Sequence, residues 1–398
     1  MNKKELFFKN QSQITKNPIG LEISHAKGIY IYDKNGKEYI DLVAGVSACT
    51  LGHSNKKIIK SINDQLKKYS HVMVYGEYIQ DPQINLAKKL SDNLPKKLNC
   101  SYFVNSGTEA IEGAIKLAKR TTKKSEIIFC KNSYHGSTHG SLSFMGNEER
   151  KSNYRPLLPG GKMIRFNSMD DLKYINNNTA AIIIELIQSG SGFKVASKKW
   201  IREIKKKCKI FKAKLIFDEI QTCFGRTGKL FGFQNYNVIP DILCIAKGMG
   251  GGMPIGCFIS STSMMKKFTS NPILGHITTF GGHPVNCAAS LKTLEILLST
   301  NIINEVSKKE NLFRKFLKHT EIESIDGVGL MLGLKFKTSK MCNLVVNNCR
   351  KSGLLAFYFL FEKKSMRISP PLTITEREIR KSCDIIIKSI DKSLESLS

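Results

Sequence analysis

The chain has 398 residues, 41% hydrophobic and 24% charged, with 62 Lys and Arg against 33 Asp and Glu for a formal net charge of +29. Length and hydrophobic share support one large domain with a smaller lobe, and no apolar run approaches the roughly 20 residues that span a bilayer, so no membrane partner is expected. The eleven cysteines are scattered without a CxxC pair, which predicts reduced thiols and no metal site rather than disulfides or zinc.

The N-terminus lacks a long apolar segment and a small-residue cleavage site, so a cytoplasmic protein is expected. The positive charge raises nucleic-acid binding as a function. Lysine supplies most of that charge, however, whereas arginine's planar fork is the usual reader of phosphates. The densest basic run, 198–209, spaces Trp200, Ile201, Ile204 and Cys208 like the buried face of a helix and leaves its lysines solvated. No specific nucleic acid is expected.

In chain order, residues 28–33 and 38–42 flank Lys34-Asn35-Gly36-Lys37, a hairpin with Asn-Gly at its apex. The loop 45–53 follows, containing Val46 and ending in Gly52-His53. His53 has no second metal ligand at suitable spacing and is expected to be structural. Residues 56–100 alternate amphipathic helices with loops, one helix following Asp81-Pro82. A strand then ends at Val104 and a helix begins near Thr108, joined by Asn105-Ser106-Gly107. Backbone N–H groups at a helix start are unpaired and suit a phosphate, although Ser-Gly-Thr is also a routine N-cap. A strand at 127–130 precedes Tyr134-His135-Gly136-Ser137, and another at 180–184 runs into Glu185 and then Gln188-Ser189-Gly190.

The most informative stretch is 215–254. Its first apolar run, Leu215-Ile216-Phe217, ends in Asp218-Glu219-Ile220-Gln221; its second, 241–246, ends in Lys247 followed by glycines. Short apolar runs bounded by turn residues predict strands of a sheet buried on both faces. Functional groups of such sheets gather beyond the strands' carboxyl ends, so Asp218 and Lys247 are expected to face one crevice. Taken alone, a lysine beside glycines also reads as a surface turn. From about residue 290 a long amphipathic helix is expected to lead into a C-terminal part that carries Gly327-Val328-Gly329 and Arg367-Ile368-Ser369-Pro370.

Residues 218–231 resemble the D-E-[IV]-Q-x-G-x-G-R-T-G-x-x-[FW] motif of the class III pyridoxal-phosphate-dependent aminotransferases, the group of acetylornithine and ornithine aminotransferases. Residues 240–256 resemble that family's lysine motif, 105–110 its N-S-G-T-E-A phosphate cup, and 276–284 its H-x-[ST]-T-[FY]-[GS]-G-[NH]-P segment. Two further motifs match at 327–333 and 366–372, so the resemblance runs from near residue 20 to near residue 387. It implies an α/β protein of fold type I. The large domain, 61–290, would hold a mostly parallel seven-stranded sheet flanked by helices. A smaller α+β lobe would be built from both chain ends, 1–60 and 291–398.

The resemblance also implies pyridoxal 5'-phosphate as cofactor. Lys247 would carry it and move the substrate proton, and Asp218 would pair with its pyridinium nitrogen. Ser106, Gly107 and Thr108 would hold its phosphate, and Tyr134 and Ile220 would cover its two faces, with His135 also among the cofactor contacts. Gln221 would bond its phenolic oxygen, with Glu185 around Gln221. Thr279 would reach the phosphate of the neighbouring subunit's site, which implies a homodimer with shared active sites. Substrate contacts are implied for Arg367, which would take an α-carboxylate, and for Thr278, Val46 and Ser137.

Two departures stand out. Ser137 occupies a position where many relatives have an arginine for a substrate carboxylate. Gly190 replaces a glutamate that, in ornithine-type relatives, covers the arginine corresponding to Arg367. The expected reaction is transfer of an amino group from an amino-acid or diamine-derived donor to 2-oxoglutarate, giving glutamate. N-acetylornithine or N-succinyl-diaminopimelate, in arginine or lysine biosynthesis, are the first donors to consider. Another class III activity (aminomutase, racemase or decarboxylase) and a nucleic-acid-binding relative are the alternatives.

Overall fold

A seven-stranded sheet orders the molecule, and a computed structural model describes it over residues 1–397. Across the sheet the strands run Cys100–Val104, Gly256–Ser260, Ile242–Ile245, Lys214–Asp218, Thr179–Glu185, Glu126–Cys130 and Gly161–Ile164. Gly256–Ser260 is antiparallel to both its neighbours and every other pairing is parallel. The central strands are apolar without alternation because both faces are covered. Ile182, Ile184, Leu215, Phe217, Leu243 and Ile245 point into the larger core with Trp200. Ile183, Ile216, Ile242 and Cys244 point into the other, against Ala110, Ile111, Ala114 and Ala118 of the helix Gly107–Thr122. Burying each large aliphatic chain contributes about 1.5–3 kcal/mol, so the sheet is the rigid part on which a site can be built.

Register fixes what lies at its carboxyl edge. Asp218 is level with Glu185 on one side and with Cys244 on the other. Lys247 follows Cys244 by three residues, so one edge collects both carboxylates and the lysine.

Strands from the N-terminal and C-terminal parts of the chain pair with each other. The hairpin strands Tyr30–Asp33 and Glu38–Asp41 pair antiparallel as expected, and Leu354–Leu355 adds to Glu38–Asp41 in parallel. A second antiparallel sheet, Ile322–Gly327, Leu332–Phe336, Ser365–Ile368 and Phe357–Tyr358, carries Arg367. The helices Ser339–Lys351 and Glu376–Glu395 pack together beside these strands.

The basic helix spans Lys198–Ile210 and buries Trp200, Ile201, Ile204 and Cys208, the spacing read from sequence. The long helix expected from about residue 290 is instead two. Pro284–Ser299 begins earlier, with proline in its first turn, and is buried around much of its circumference because Lys56–Lys68 and Asp81–Asp92 both pack on it. After Thr300 and Asn301 the chain restarts as Ile302–Phe316. A helix enclosed on several sides loses the polar stripe that marks amphipathic helices, which explains the displaced start. All eleven cysteines are unpaired thiols. Among the described residues no helix is long and apolar enough to cross a membrane.

Candidate active site

A cavity of about 640 Å³ opens at the carboxyl edge of the sheet, lined among others by Thr108, Tyr134, Asp218, Ile220 and Lys247. Lys247 ends the run Ile242–Ile245 and turns with a left-handed φ of 47°. Such a backbone is strained for a side-chain-bearing residue and persists only where its surroundings hold it. Burial pushes the Lys247 ammonium below its ordinary value; the charge of Asp218 opposes this and that of Arg367 reinforces it. A lysine destabilised in its charged form is a better nucleophile and base near neutrality.

Asp218 is buried at the end of its strand, taking 2.7 Å from Oδ2 to His135 Nδ1, and its Oδ1 accepts from Ile220 N–H at 3.1 Å. Burial is the largest influence on His135 and lowers its pKa, yet the hydrogen bond and charge of Asp218, with the charge of Glu185, outweigh it and the net shift is upward. His135 thus sits behind Asp218 as a proton-bearing support, with Nε2 buried and unpartnered. Glu185 is fully enclosed, and burial pushes it up to about 7. Its Oε1 accepts from Tyr134 N–H (3.2 Å) and the Ser189 hydroxyl (3.1 Å), and its Oε2 from Ser189 N–H (3.1 Å).

Glu185 and Gln221 line the same cavity, and the hydrogen bonds of each go to other residues. Gln221 donates from Nε2 to Ser47 Oγ at 3.0 Å. The parallel register places Glu185 beside Asp218, whereas Gln221 lies three residues beyond and turns toward the N-terminal loop.

The start of the helix Gly107–Thr122 also lines the cavity. Ser106 caps it, its Oγ accepting from Glu109 N–H at 3.3 Å, and Thr108 Oγ1 lies 2.6 Å from both Thr138 Oγ1 and Ser141 Oγ. Glycine at 107 has a packing reason: a Cβ there would come 2.8 Å from Ile220 Cδ1. First-turn N–H groups and a ring of hydroxyls make a neutral anion cup. Tyr134 and Ile220 line the same cavity, and the Tyr134 hydroxyl is 3.1 Å from Ser137 Oγ.

Arg367 stands behind the cavity wall, buried, donating from Nη2 to the Ser189 carbonyl at 3.1 Å. Val46 is exposed and the cavity is lined by its neighbour Ala48 instead. Thr278 Oγ1 accepts from Asn105 Nδ2 at 2.9 Å, at the foot of the anion cup. Thr279 is exposed and outside the cavity of its own chain. His53 pairs through Nε2 with Asp41 Oδ2 at 2.8 Å. His135, Glu185 and Asp218 also form the one cluster among the described residues with metal-ligand chemistry, their ligating atoms within 4.8 Å. Here His135 Nδ1 is engaged by Asp218, and both Glu185 oxygens by N–H donors. Ser47, Thr138, Ser141 and Ser189 were not singled out in the sequence. Ser47 reaches Gln221 from 174 residues away, whereas Thr138, Ser141 and Ser189 lie within a few residues of Ser137 and Glu185.

An anion cup, a buried carboxylate, an aromatic and an aliphatic wall residue and a depressed lysine lining one cavity fit a phosphorylated pyridine aldehyde. This is the chemistry of pyridoxal phosphate, set in a fold-type I transferase. The aminotransferase class-III family model matches residues 12–390, and the chain belongs to that family. The acetylornithine aminotransferase of Clostridium acetobutylicum is 37% identical over 379 residues, covering 92% of this chain and 95% of that protein. The acetylornithine aminotransferase of Archaeoglobus fulgidus is 35% identical over 366 residues, covering 92% and 94%. Among solved structures, the ornithine aminotransferase of Toxoplasma gondii superposes with a TM-score of 0.91 at 27% identity over 100% of this chain and 97% of that one. Adenosylmethionine-8-amino-7-oxononanoate aminotransferase from Methanocaldococcus jannaschii gives 0.88 at 29%, over 98% and 97%. The protein is a pyridoxal-phosphate-dependent transaminase, exchanging an amino group between an amino donor and a keto acid.

Proposed function

We propose that this transaminase takes an amino donor bearing a carboxylate, with N-acetylornithine the first candidate, and passes the amino group to 2-oxoglutarate. The buried and unpaired guanidinium of Arg367 beside the cavity carries this reading. Both the donor and 2-oxoglutarate have a carboxylate, and a guanidinium binds one through two parallel N–H bonds. The printed names of the curated relatives support acetylated ornithine in particular.

When bound, pyridoxal phosphate supplies the aldehyde and the electron sink that lower the acidity barrier of the carbon bearing the amine. Lys247 has the position and depressed pKa to carry the cofactor and then to take a proton at Nζ and return it. Asp218, oriented by His135 and the Ile220 N–H, would present its carboxylate to the ring nitrogen. Ser106 to Thr108 would take the phosphate, Tyr134 and Ile220 would exclude water from the faces, and Gln221 would have a second N–H for the phenolic oxygen. Ser137 offers only a neutral hydrogen bond at the distal end, so selectivity there is looser than where an arginine reads that group.

A homodimer completes the site. Thr279, exposed on its own chain, lies among exposed apolar side chains at Ile277 and Phe280, a surface suited to a second copy. A cytoplasmic location accords with the thiol chemistry of the chain. The test is a panel of carboxylated and carboxylate-free amines with 2-oxoglutarate, followed by glutamate formation. N-acetylornithine should be among the best donors, and Arg367→Ala should raise KM for every carboxylated donor. Donors consumed without glutamate appearing would instead indicate a mutase, racemase or decarboxylase.

A further inference from the structure

Arg367 sits on the strand Ser365–Ile368, opposite Gly333 on one side and Phe357 on the other. A guanidinium this deeply buried ordinarily has a carboxylate beside it, because an unpaired charge in the interior is costly. Arg367 has the Ser189 carbonyl, and its Nε is buried without a partner. What surrounds it is aromatic. Its guanidinium carbon lies 4.8 Å from the Phe359 ring centre and 5.5 Å from that of Phe193. The two rings stand 4.6 Å apart at 85°, forming a corner, and with Ile187 and Met331 they make an apolar cluster separate from the two main cores.

The same region closes the route by which an acid could reach Arg367 from position 190. A Cβ at Gly190 would come 2.6 Å from the Phe361 ring, and Phe361 N–H donates to the Gly190 carbonyl at 2.9 Å, fastening the two segments together. Aromatic faces attract a cation through their negative π surface, most strongly when water is excluded. Unlike a carboxylate, they occupy none of the five N–H donors. A ring corner therefore holds the charge without an acidic partner, and the Arg367 guanidinium donates to the Ser189 carbonyl on the cavity wall.

We propose that Phe359 and Phe193 are positioning residues that hold Arg367 in place as a carboxylate anchor for the amino donor and the keto acid alike, with aromatic rings where an acidic partner would otherwise compete for its N–H donors. This rests on Arg367 being the anchor, as proposed above. The role is specific to the carboxylate and separable from the chemistry at Lys247.

The experiment uses the cofactor-loaded enzyme with Phe359→Leu, Phe193→Leu, Phe359→Tyr and Arg367→Ala, measuring KM and kcat for L-glutamate and binding of glutarate by calorimetry. Glutarate has the carboxylates but no amine, so its affinity reports the anchor without turnover. Each leucine variant should raise the glutamate KM and the glutarate Kd by about ten-fold with kcat little changed, whereas Phe359→Tyr, which keeps the ring face, should retain wild-type values. A thermal melt on each variant separates loss of fold from loss of binding, and Phe193→Leu asks the question independently if Phe359→Leu does not fold. Wild-type KM and Kd in both leucine variants, with Arg367→Ala impaired, overturns the clamp and spares the anchor. Wild-type values in Arg367→Ala overturn the anchor and the clamp with it.

Discussion

Lys247 and Asp218 divide the work of the site, and different measurements separate them. Burial disfavours the charged form of Lys247, which favours the neutral amine that bonds the cofactor. Borohydride treatment of the wild-type holoenzyme should fix cofactor to the peptide containing Lys247 and remove the visible absorbance. Lys247→Ala should lose both the trapped adduct and transamination; an adduct and turnover at wild-type level in that variant would refute the assignment. Asp218→Ala leaves the ring nitrogen without its anion and His135 Nδ1 without its 2.7 Å partner. The loss should fall on kcat, by several orders of magnitude, each factor of ten being about 1.4 kcal/mol of barrier. A nearly normal kcat with weakened cofactor retention would make Asp218 structural only. Both residues were legible in the sequence because each ends an apolar run, and ends of buried strands are where such groups gather. Ser47 was not: its contact with Gln221 joins positions 174 residues apart.

The loop 41–53 shows what an element can hide from a sequence reading. Ala44, Gly45, Val46 and Ser47 have φ of 51°, 60°, 59° and 68°, a complete left-handed turn. For a β-branched residue such as Val46 this backbone is a genuine outlier, and strain of this kind is of order 1–3 kcal/mol per residue. No local propensity predicts it. Asp41 holds it from both sides: locally its Oδ1 accepts from Val43 N–H at 2.8 Å and Ala44 N–H at 2.9 Å, while its Oδ2 faces His53 Nε2 across the loop. The hydrogen bond of Asp41, followed by that of Cys49, outweighs burial and pushes His53 from 6.5 up to about 10. A pKa raised in the folded state means the folded chain holds the proton more tightly. The pair's contribution is therefore fully present below about pH 6.5 and fades as pH rises toward 10. Thermal melts between those limits should show wild type losing stability faster than His53→Gln. Parallel slopes would mean that the pair does not hold the turn. By contrast, the hairpin with Asn-Gly at its apex and the helix Lys198–Ile210 were legible, since turn chemistry and a one-sided apolar face are local signals. Pro284–Ser299 obscured its own start because neighbours enclose it.

At the scale of the molecule, the lysine-rich surface tells less than the apolar one. Ile79 is 90% exposed and Phe280 53%, unusual for side chains of this size. The segments bearing them are tied together: Gln83 Nε2 donates to the Gly282 carbonyl at 2.7 Å, and the His71 and Phe280 rings are 4.9 Å apart. Thr278 and Thr279 lie within this surface, Thr278 bonded to Asn105 of its own chain and Thr279 free of its own cavity. Exposed apolar side chains near a hydroxyl outside its own cavity fit the proposed homodimer, in which each chain would lend Thr279 to the phosphate end of the other. Complementation tests this directly. A Lys247→Ala chain and a Thr279→Ala chain are each impaired as homodimers. Mixed, one site of the heterodimer carries both defects and the other carries neither. Random reassortment makes half the dimers mixed, with one intact site of two, so activity should recover to about a quarter of wild type. If heterodimers form, shown by two different affinity tags, and activity stays at the level of the parents, Thr279 does not act across the interface.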